Sequence, residues 1–175
     1  KFLTRSEFVA QAVKVFKAVP ADPNVRTTTT RTATTTTSTT LPFVDLKTGD
    51  TYLEEIIDAS NRQIVVGRGL AYFRPDDYIT RAEVMTIAVR ALGLGNLAAW
   101  PNAVSPFSDN DAIPAFARNA VSVCAEIGVL EPDADGKFRP NYSMTAGDAA
   151  DLLYRLINYM GDGLVTDYRE HATQY

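Results

Sequence analysis

An internal repeat constrains the fold of this chain more than any other feature of its sequence. Residues 43–94 align with residues 107–160, and both segments open with Phe-x-Asp and later carry Phe-Arg-Pro. In both, a Thr lies seven residues after the Phe of Phe-Arg-Pro. Residues 3–18 match only the last part of the repeat, so we interpret the chain as a piece of a longer protein that starts within a first copy.

Each full copy has the pattern of helix, loop, helix, with apolar residues recurring at helical spacing. The first helix of each copy carries Leu53, Ile56 and Ile57, or Ala117, Ala120, Val121 and Cys124; the second carries Val84, Ile87, Ala88 and Ala91, or Leu152, Leu153, Leu156 and Ile157. One helix pair cannot bury such a face alone, so we expect the copies to pack on each other. The sequence therefore predicts a mainly α fold.

The repeats also predict the limits of the segments. We expect the last helix of a partial first repeat at 1–20, a Thr-rich linker at 21–42, a second repeat at 43–95, a linker at 96–106, a third, degenerate repeat at 107–160 and a polar tail at 161–175. The Thr-rich stretch has almost no large apolar residue, and its composition is typical of an extended spacer or an O-glycosylated stalk.

Composition argues against several classes of function. The formal net charge is −4, which disfavours a nucleic-acid partner because such proteins usually carry a basic face. The sequence contains no run of 18 apolar residues, so it predicts no transmembrane helix. Cys124 stands alone on an apolar helical face, and His171 has no catalytic partner pattern. Asp133 and Asp135 precede a Gly as in a calcium loop, but the closing Glu is missing, so we predict a turn and no metal site. Because no catalytic residue pattern is found, we also predict no cofactor and no enzyme activity.

The motif Thr80-Arg81-Ala82-Glu83 has the pattern of a capping box, in which Thr80 and Glu83 satisfy each other's backbone N–H at a helix start. Arg81, and Arg5 in the partial copy, then fall at the first helical position. A cation there is disfavoured by roughly 0.3–1 kcal/mol because it faces the positive end of the helix dipole. The compensating group is either a nearby carboxylate or an anionic ligand bound at the helix N-terminus.

These motifs resemble the repeats of the S-layer homology family, whose Thr-Arg-Ala-Glu signature stands here at residues 80–83 and, as Thr-Arg-Ser-Glu, at residues 4–7. The resemblance implies three repeats in a pseudo-threefold bundle, with ligand-binding grooves between them. Its implied ligand is an anionic, often pyruvylated, secondary cell-wall polysaccharide or another peptidoglycan-linked glycan. The candidate ligand-binding residues are Arg5, Arg81, Thr80, Glu83, Asp45, Tyr52, Asp109 and Phe116. The third copy has Ala146 in place of the arginine, so its site is expected to be lost.

The resemblance predicts a non-catalytic module that anchors an exported protein at the extracellular cell wall or S-layer. An alternative is a structural subunit of a surface lattice or filament, in which the repeats contact other copies or neighbouring surface proteins. A third interpretation makes the chain the anchoring appendage of a larger enzyme.

Overall fold

A computed structural model of the chain describes residues 1–16, 41–68, 71–96 and 105–162, and within these ranges the fold is helical. Five α-helices are present in the described ranges: α1 Arg5–Val15, α2 Leu53–Asn61, α3 Arg81–Ala91, α4 Ala115–Glu126 and α5 Ala146–Asp162. Two short 3-10 helices, Leu94–Asn96 and Asn110–Ala112, follow α3 and precede α4. This confirms the predicted mainly α class.

The predicted capping boxes begin α1 and α3. Thr80 Oγ1 accepts a hydrogen bond from the Glu83 backbone N–H, and a Glu83 carboxylate oxygen accepts one from the Thr80 N–H at 3.1 Å. Thr4 and Glu7 repeat both bonds at the start of α1. The third copy keeps the same geometry before α5, where Asp148 takes the place of Glu. All three signature segments therefore begin a helix, whether or not they carry the arginine.

The helices pair across the repeat boundaries. Helix α1 of the partial copy packs against α2 of the second copy, and α3 of the second copy packs against α4 of the third. Helix α1 also contacts α3 and α5. Each packing unit thus combines the last helix of one repeat with the first helix of the next, which is how the apolar faces that no single pair could bury become covered.

The residues just before α1, α3 and α5 form a closed set of backbone hydrogen bonds. Leu3 N donates to Met144 O at 3.0 Å, Met144 N donates to Ile79 O at 3.0 Å, and Ile79 N donates to Leu3 O at 3.1 Å. All three side chains are buried, so the ring lies inside the shared core. It joins three segments that are separated by tens of residues in the sequence.

The loop of each full repeat is held by the Asp of its Phe-x-Asp opening. Asp45 accepts hydrogen bonds from the backbone N–H groups of Phe73 and Arg74, at 2.8 and 2.6 Å. Burial acts to raise the pKa of Asp45, but these hydrogen bonds outweigh it and the pKa lies below its ordinary value. Arg74 has a left-handed backbone (φ 58°), an uncommon conformation for a residue with a Cβ. The two hydrogen bonds that Asp45 accepts therefore stabilise a loop conformation that the sequence alone would disfavour.

Several predictions concern segments that lie outside the described residues. These are the Thr-rich stretch apart from residues 41 and 42, most of the linker at 96–106, and the tail from residue 163, which includes His171. Within the described part of the chain, no helix has the length and apolar character needed to cross a bilayer. Cys124 is buried in α4, and burial raises the pKa of its thiol to about 12.

Candidate ligand-binding grooves

Two grooves lie between consecutive repeats. The first groove, of about 460 Å³, separates the partial first copy from the second, and the second groove, of about 680 Å³, separates the second copy from the third. The first groove is lined by Arg5, Val65, Val66, Gly67, Arg68, Glu83, Thr86, Ile87, Arg90 and Phe116. In both grooves, the signature arginine of one repeat faces the loop and last helix of the next repeat.

Arg5 contributes a buried cation to the first groove. The residue is 5% exposed, and its guanidinium lies over the ring of Phe73, 5.2 Å from the centroid. One terminal nitrogen contacts a Glu83 carboxylate oxygen at 3.3 Å. Its Nε has no hydrogen-bond partner, which sets it apart from every other buried side-chain nitrogen or oxygen of the described residues. Arginine remains charged even here, so Arg5 holds an unsatisfied donor beside the groove.

Glu83 is the main carboxylate of the first groove, and it is already engaged. Arg68 donates to both Glu83 carboxylate oxygens, with its NH2 group 2.6 Å from Oε2, and a further Arg68 nitrogen contacts Asp77. Burial acts to raise the pKa of Glu83, but the bonds from Arg68 and Thr80 and the charge of Arg5 outweigh it and lower the pKa. Glu83 therefore stays ionised, and two arginines share its charge.

Arg90 and Phe116 extend the first groove. Arg90 projects from the last turn of α3, is partly buried, and makes no ion pair with any residue in the described ranges. Burial lowers its pKa. Phe116 projects from α4 and is 56% exposed, so its ring offers an apolar face to a sugar or another ligand. An arginine and an aromatic ring thus both line the first groove.

The second groove has the same architecture and different chemistry. Its ionisable lining residues are Arg81, Arg139 and Arg155 together with Glu131, Asp133, Asp148 and Asp151. Arg81 lies over the Phe138 ring at 5.2 Å, as Arg5 lies over Phe73. Its NH1 group donates to Asp133 at 3.1 Å, and Asp133 also accepts from Arg139 at 2.9 Å. The compensating carboxylate for Arg81 thus comes from the next repeat, rather than from its sequence neighbours.

The remaining candidate residues have structural contacts. Asp109 accepts from the backbone N–H groups of Phe138 and Arg139, both at 2.8 Å, as Asp45 does in the preceding repeat. Thr80 caps α3. Tyr52 precedes α2 in a left-handed conformation (φ 65°), with the Lys14 amine 5.7 Å from its ring centroid. Of the eight predicted residues, the described grooves bring together Arg5, Glu83 and Phe116 in the first and Arg81 in the second.

Sequence reasoning missed Arg68 and Arg90, and it considered Asp133 only as part of a calcium loop. Position within the repeat was the signal available: Arg68 and Asp133 each stand five residues before the Phe of Phe-Arg-Pro. Asp133 and Asp135 instead accept hydrogen bonds from Arg139. Among the described residues, no cluster of three His, Cys, Asp or Glu side chains could hold a metal ion.

Comparison with known proteins gives a family match in both full repeats. The sequence profile described as "S-layer homology domain" matches residues 42–85 and 106–150, together about half of the chain. Each matched segment contains the Phe-x-Asp opening, the Phe-Arg-Pro loop and the segment that begins α3 or α5. The profile therefore covers the loop of each full repeat and the start of the helix that follows it, whereas Arg5, Arg90 and Arg155 of the grooves lie outside the matched segments.

Curated relatives are similar over most of this chain and over little of their own length. The chain is 30% identical to an amylopullulanase of Thermoanaerobacterium thermosulfurigenes across 93% of its residues, which is 8% of that relative. It is 29% identical to the exoglucanase XynX of Acetivibrio thermocellus across 90% of its residues, 13% of that relative. It is 27% identical to a cell surface protein of Thermoanaerobacter kivui across 69% of its residues, 16% of that relative. The chain thus spans a small part of these relatives.

Proposed function

Because this chain belongs to the S-layer homology domain family, a family of cell-surface modules, we propose that it anchors an exported protein to the bacterial cell wall without catalysing a reaction. In this proposal its ligand is an anionic secondary wall polysaccharide, and the ligand enters the grooves between repeats. The whole proteins named above as relatives include glycoside-degrading enzymes. A short shared segment in such different proteins favours an accessory module over a catalytic unit.

One observation carries the anionic part of the proposal. Arg5 is nine-tenths buried at the first groove, and its Nε lacks a hydrogen-bond partner among the residues that the structure describes. A carboxylate or another anionic group could accept from this donor, and a charge-assisted bond in a partly buried groove is among the stronger polar interactions. Arg90, without an ion pair in the described part of the chain, adds a second cation, and Phe116 adds a surface on which a sugar ring can stack.

The proposed arrangement of the repeats is pseudo-threefold. It is supported by the closed ring of hydrogen bonds among Leu3, Ile79 and Met144, and by the two grooves whose lining residues correspond. In this arrangement, residues 43–95 and 107–160 form the second and third repeats, and residues 1–20 supply the last helix of the first. The loops held by Asp45 and Asp109 then position one wall of each groove.

Retention on purified cell walls tests the anchoring function. We expect the chain to sediment with sacculi that carry secondary polysaccharide, and to remain in the supernatant after that polymer is extracted. Removal of the acidic substituents alone should also release it. Arg90→Gln should weaken retention, whereas Lys47→Gln removes the same charge at an exposed position outside both grooves. Equal retention on intact and extracted walls would refute glycan anchoring, and retention unchanged by loss of the acidic groups would refute an anionic ligand.

An assembly function is the second candidate, because several large side chains are exposed outside the two grooves. Phe2 and Tyr78 contact each other at 5.6 Å between ring centroids and are 41% and 58% exposed. They stand at equivalent positions beside the central ring of hydrogen bonds, where a protein partner could pack. Sedimentation velocity of the chain alone tests this function: ordered polymers without glycan would support it, and a monomer at all concentrations would refute it.

A further inference from the structure

The two grooves are built from corresponding residues. Arg68 and Asp133 each lie five residues before the Phe of Phe-Arg-Pro, and the backbone N–H of each donates to the carbonyl four residues later, at 2.7 and 3.0 Å. Glu83 corresponds in the same way to Asp148, and Arg90 to Arg155, by their distance from the capping Thr. Differences between the grooves therefore reflect side chains on a common backbone frame.

The position shared by Arg68 and Asp133 carries a positive charge in the first groove and a negative charge in the second. The two side chains therefore have opposite effects on the signature arginine of their groove. In the first groove Arg68 donates to both oxygens of Glu83, and the one ion-pair contact of Arg5 among the described residues is the 3.3 Å contact with Glu83, which leaves its Nε unpartnered. In the second groove Asp133 itself accepts from Arg81 at 3.1 Å. Arg68 thus competes for the carboxylate that would neutralise its neighbour, while Asp133 neutralises its neighbour directly.

The last helix of each full repeat, α3 or α5, also contributes an arginine to its groove, and the two arginines differ in their carboxylate partners. Arg90 has no carboxylate partner in the described ranges, whereas Arg155 donates to Asp151 at 2.9 Å and lies 3.8 Å from Glu131. The positions that correspond to Asp151 and Glu131 in the first groove hold Thr86 and Val66, which are uncharged. Among the described residues, three arginines and one carboxylate line the first groove, and three arginines and four carboxylates line the second.

We propose that the residue at the position shared by Arg68 and Asp133 selects the ligand charge of each groove, so that the first groove admits an acidic saccharide and the second excludes it. This inference rests on the proposed function and narrows it to one of two structurally matched sites. In the first groove an entering carboxylate meets Arg5, whose Nε has no hydrogen-bond partner among the described residues, and Arg90, which has no ion pair among them. In the second it must displace Asp133 and face the carboxylates of Asp148 and Asp151, and like charges at close range are disfavoured.

A chemical-shift titration of the whole chain can separate the two grooves. The probe is a methyl hexoside that carries a pyruvate ketal, and its carboxyl methyl ester is the uncharged control. We expect the acid to shift the backbone amides of Val66–Arg68 and to leave those of Glu131 and Asp133 unchanged. The ester should bind the first groove roughly tenfold or more weakly, as for the loss of one charge-assisted hydrogen bond.

The most informative variant is one that should gain binding, because a misfolded chain would not gain binding. Asp133→Asn frees Arg81 in the second groove, so the acid should now shift the amides around residue 133 as well. Asp135→Asn is the matched control, because Asp135 also pairs with Arg139 yet does not line either groove. Arg68→Gln should weaken the response of the first groove.

The outcomes distinguish the inference from the proposed function. Equal shifts in both grooves of the unaltered chain would overturn the selector role while leaving glycan binding intact. No gain in the second groove of a folded Asp133→Asn variant would also overturn it. No shift in either groove, together with no retention on cell walls, would refute the inference and the proposed function alike.

Discussion

Replacing Glu83 by Gln tests whether the first groove holds a buried charge network or only a helix cap. Gln keeps an oxygen that can accept from the Thr80 backbone N–H, so the cap survives in large part. What is lost is the negative charge that compensates Arg5, which is 5% exposed and has no other ion-pair partner among the described residues. Arg68 keeps Asp77, which its NH1 group contacts at 2.7 Å.

The expected loss follows from this difference in compensation. Breaking a buried pair by removing one partner costs about 3–5 kcal/mol, because the other charge is left uncompensated. The lower end applies here, since only Arg5 is stranded and Arg68 remains paired at the surface. With a urea m-value of about 2 kcal/mol/M, a loss of about 3 kcal/mol lowers the unfolding midpoint by about 1.5 M. Urea unfolding followed by far-UV circular dichroism measures that shift.

Asp148→Asn is the matched control, because Asp148 stands at the same motif position in the third copy. It caps α5 through Thr145, is exposed, and compensates no buried arginine. Its replacement should cost no more than about 1 kcal/mol, the usual contribution of a cap. If Glu83→Gln and Asp148→Asn shift the midpoint equally, the charge of Glu83 contributes nothing beyond capping and the reasoning about Arg5 is wrong.

The pH dependence gives an independent check on Glu83. Its pKa in the folded chain lies below the ordinary value of 4.5, so its ionised form stabilises the fold above the unfolded-state pKa. That contribution is lost as the pH falls through the folded-state pKa. The stability difference between the unaltered chain and Glu83→Gln should therefore be constant near neutral pH and shrink below about pH 4.5. A difference that stays constant into strong acid would contradict the assignment.

Two further predictions concern residues that fix the loop and the core. Gly67→Ala should lower the free energy of unfolding by about 1–3 kcal/mol, because its Cβ would lie 2.8 Å from the Tyr72 carbonyl oxygen and 3.0 Å from the Phe43 ring. Gly147→Ala, whose Cβ meets nothing closer than 3.8 Å, should stabilise α5 slightly; the reverse order in thermal melts would contradict both. Cys124 should resist iodoacetamide in the folded chain and react only in denaturant, because burial raises the pKa of its thiol to about 12; modification at native rates equal to those in denaturant would refute its burial.

Helix positions and starts were predictable because their causes are local. An apolar stripe at helical spacing and a Thr-x-x-Glu or Thr-x-x-Asp segment act within a few residues, so the starts of α1, α3 and α5 follow from the printed sequence. The repeat also implied that the copies would pack together. It did not reveal that α1 pairs with α2 and α3 with α4 across the repeat boundaries, since an apolar stripe does not identify its partner.

The environment of the signature arginines was decided by tertiary structure alone. The sequence indicated that a cation at a helix start needs compensation, and it offered a carboxylate or a ligand for that purpose. Only the fold brings Arg81 to Asp133, 52 positions along the chain, and Arg5 to Glu83 with Arg68 in competition. Such contacts depend on the relative orientation of the packed repeats, and local sequence propensities do not determine that orientation. The repeated sequence thus determined that two similar grooves exist. The contacts between charged side chains of different repeats, which only the fold brings together, make the grooves differ in charge.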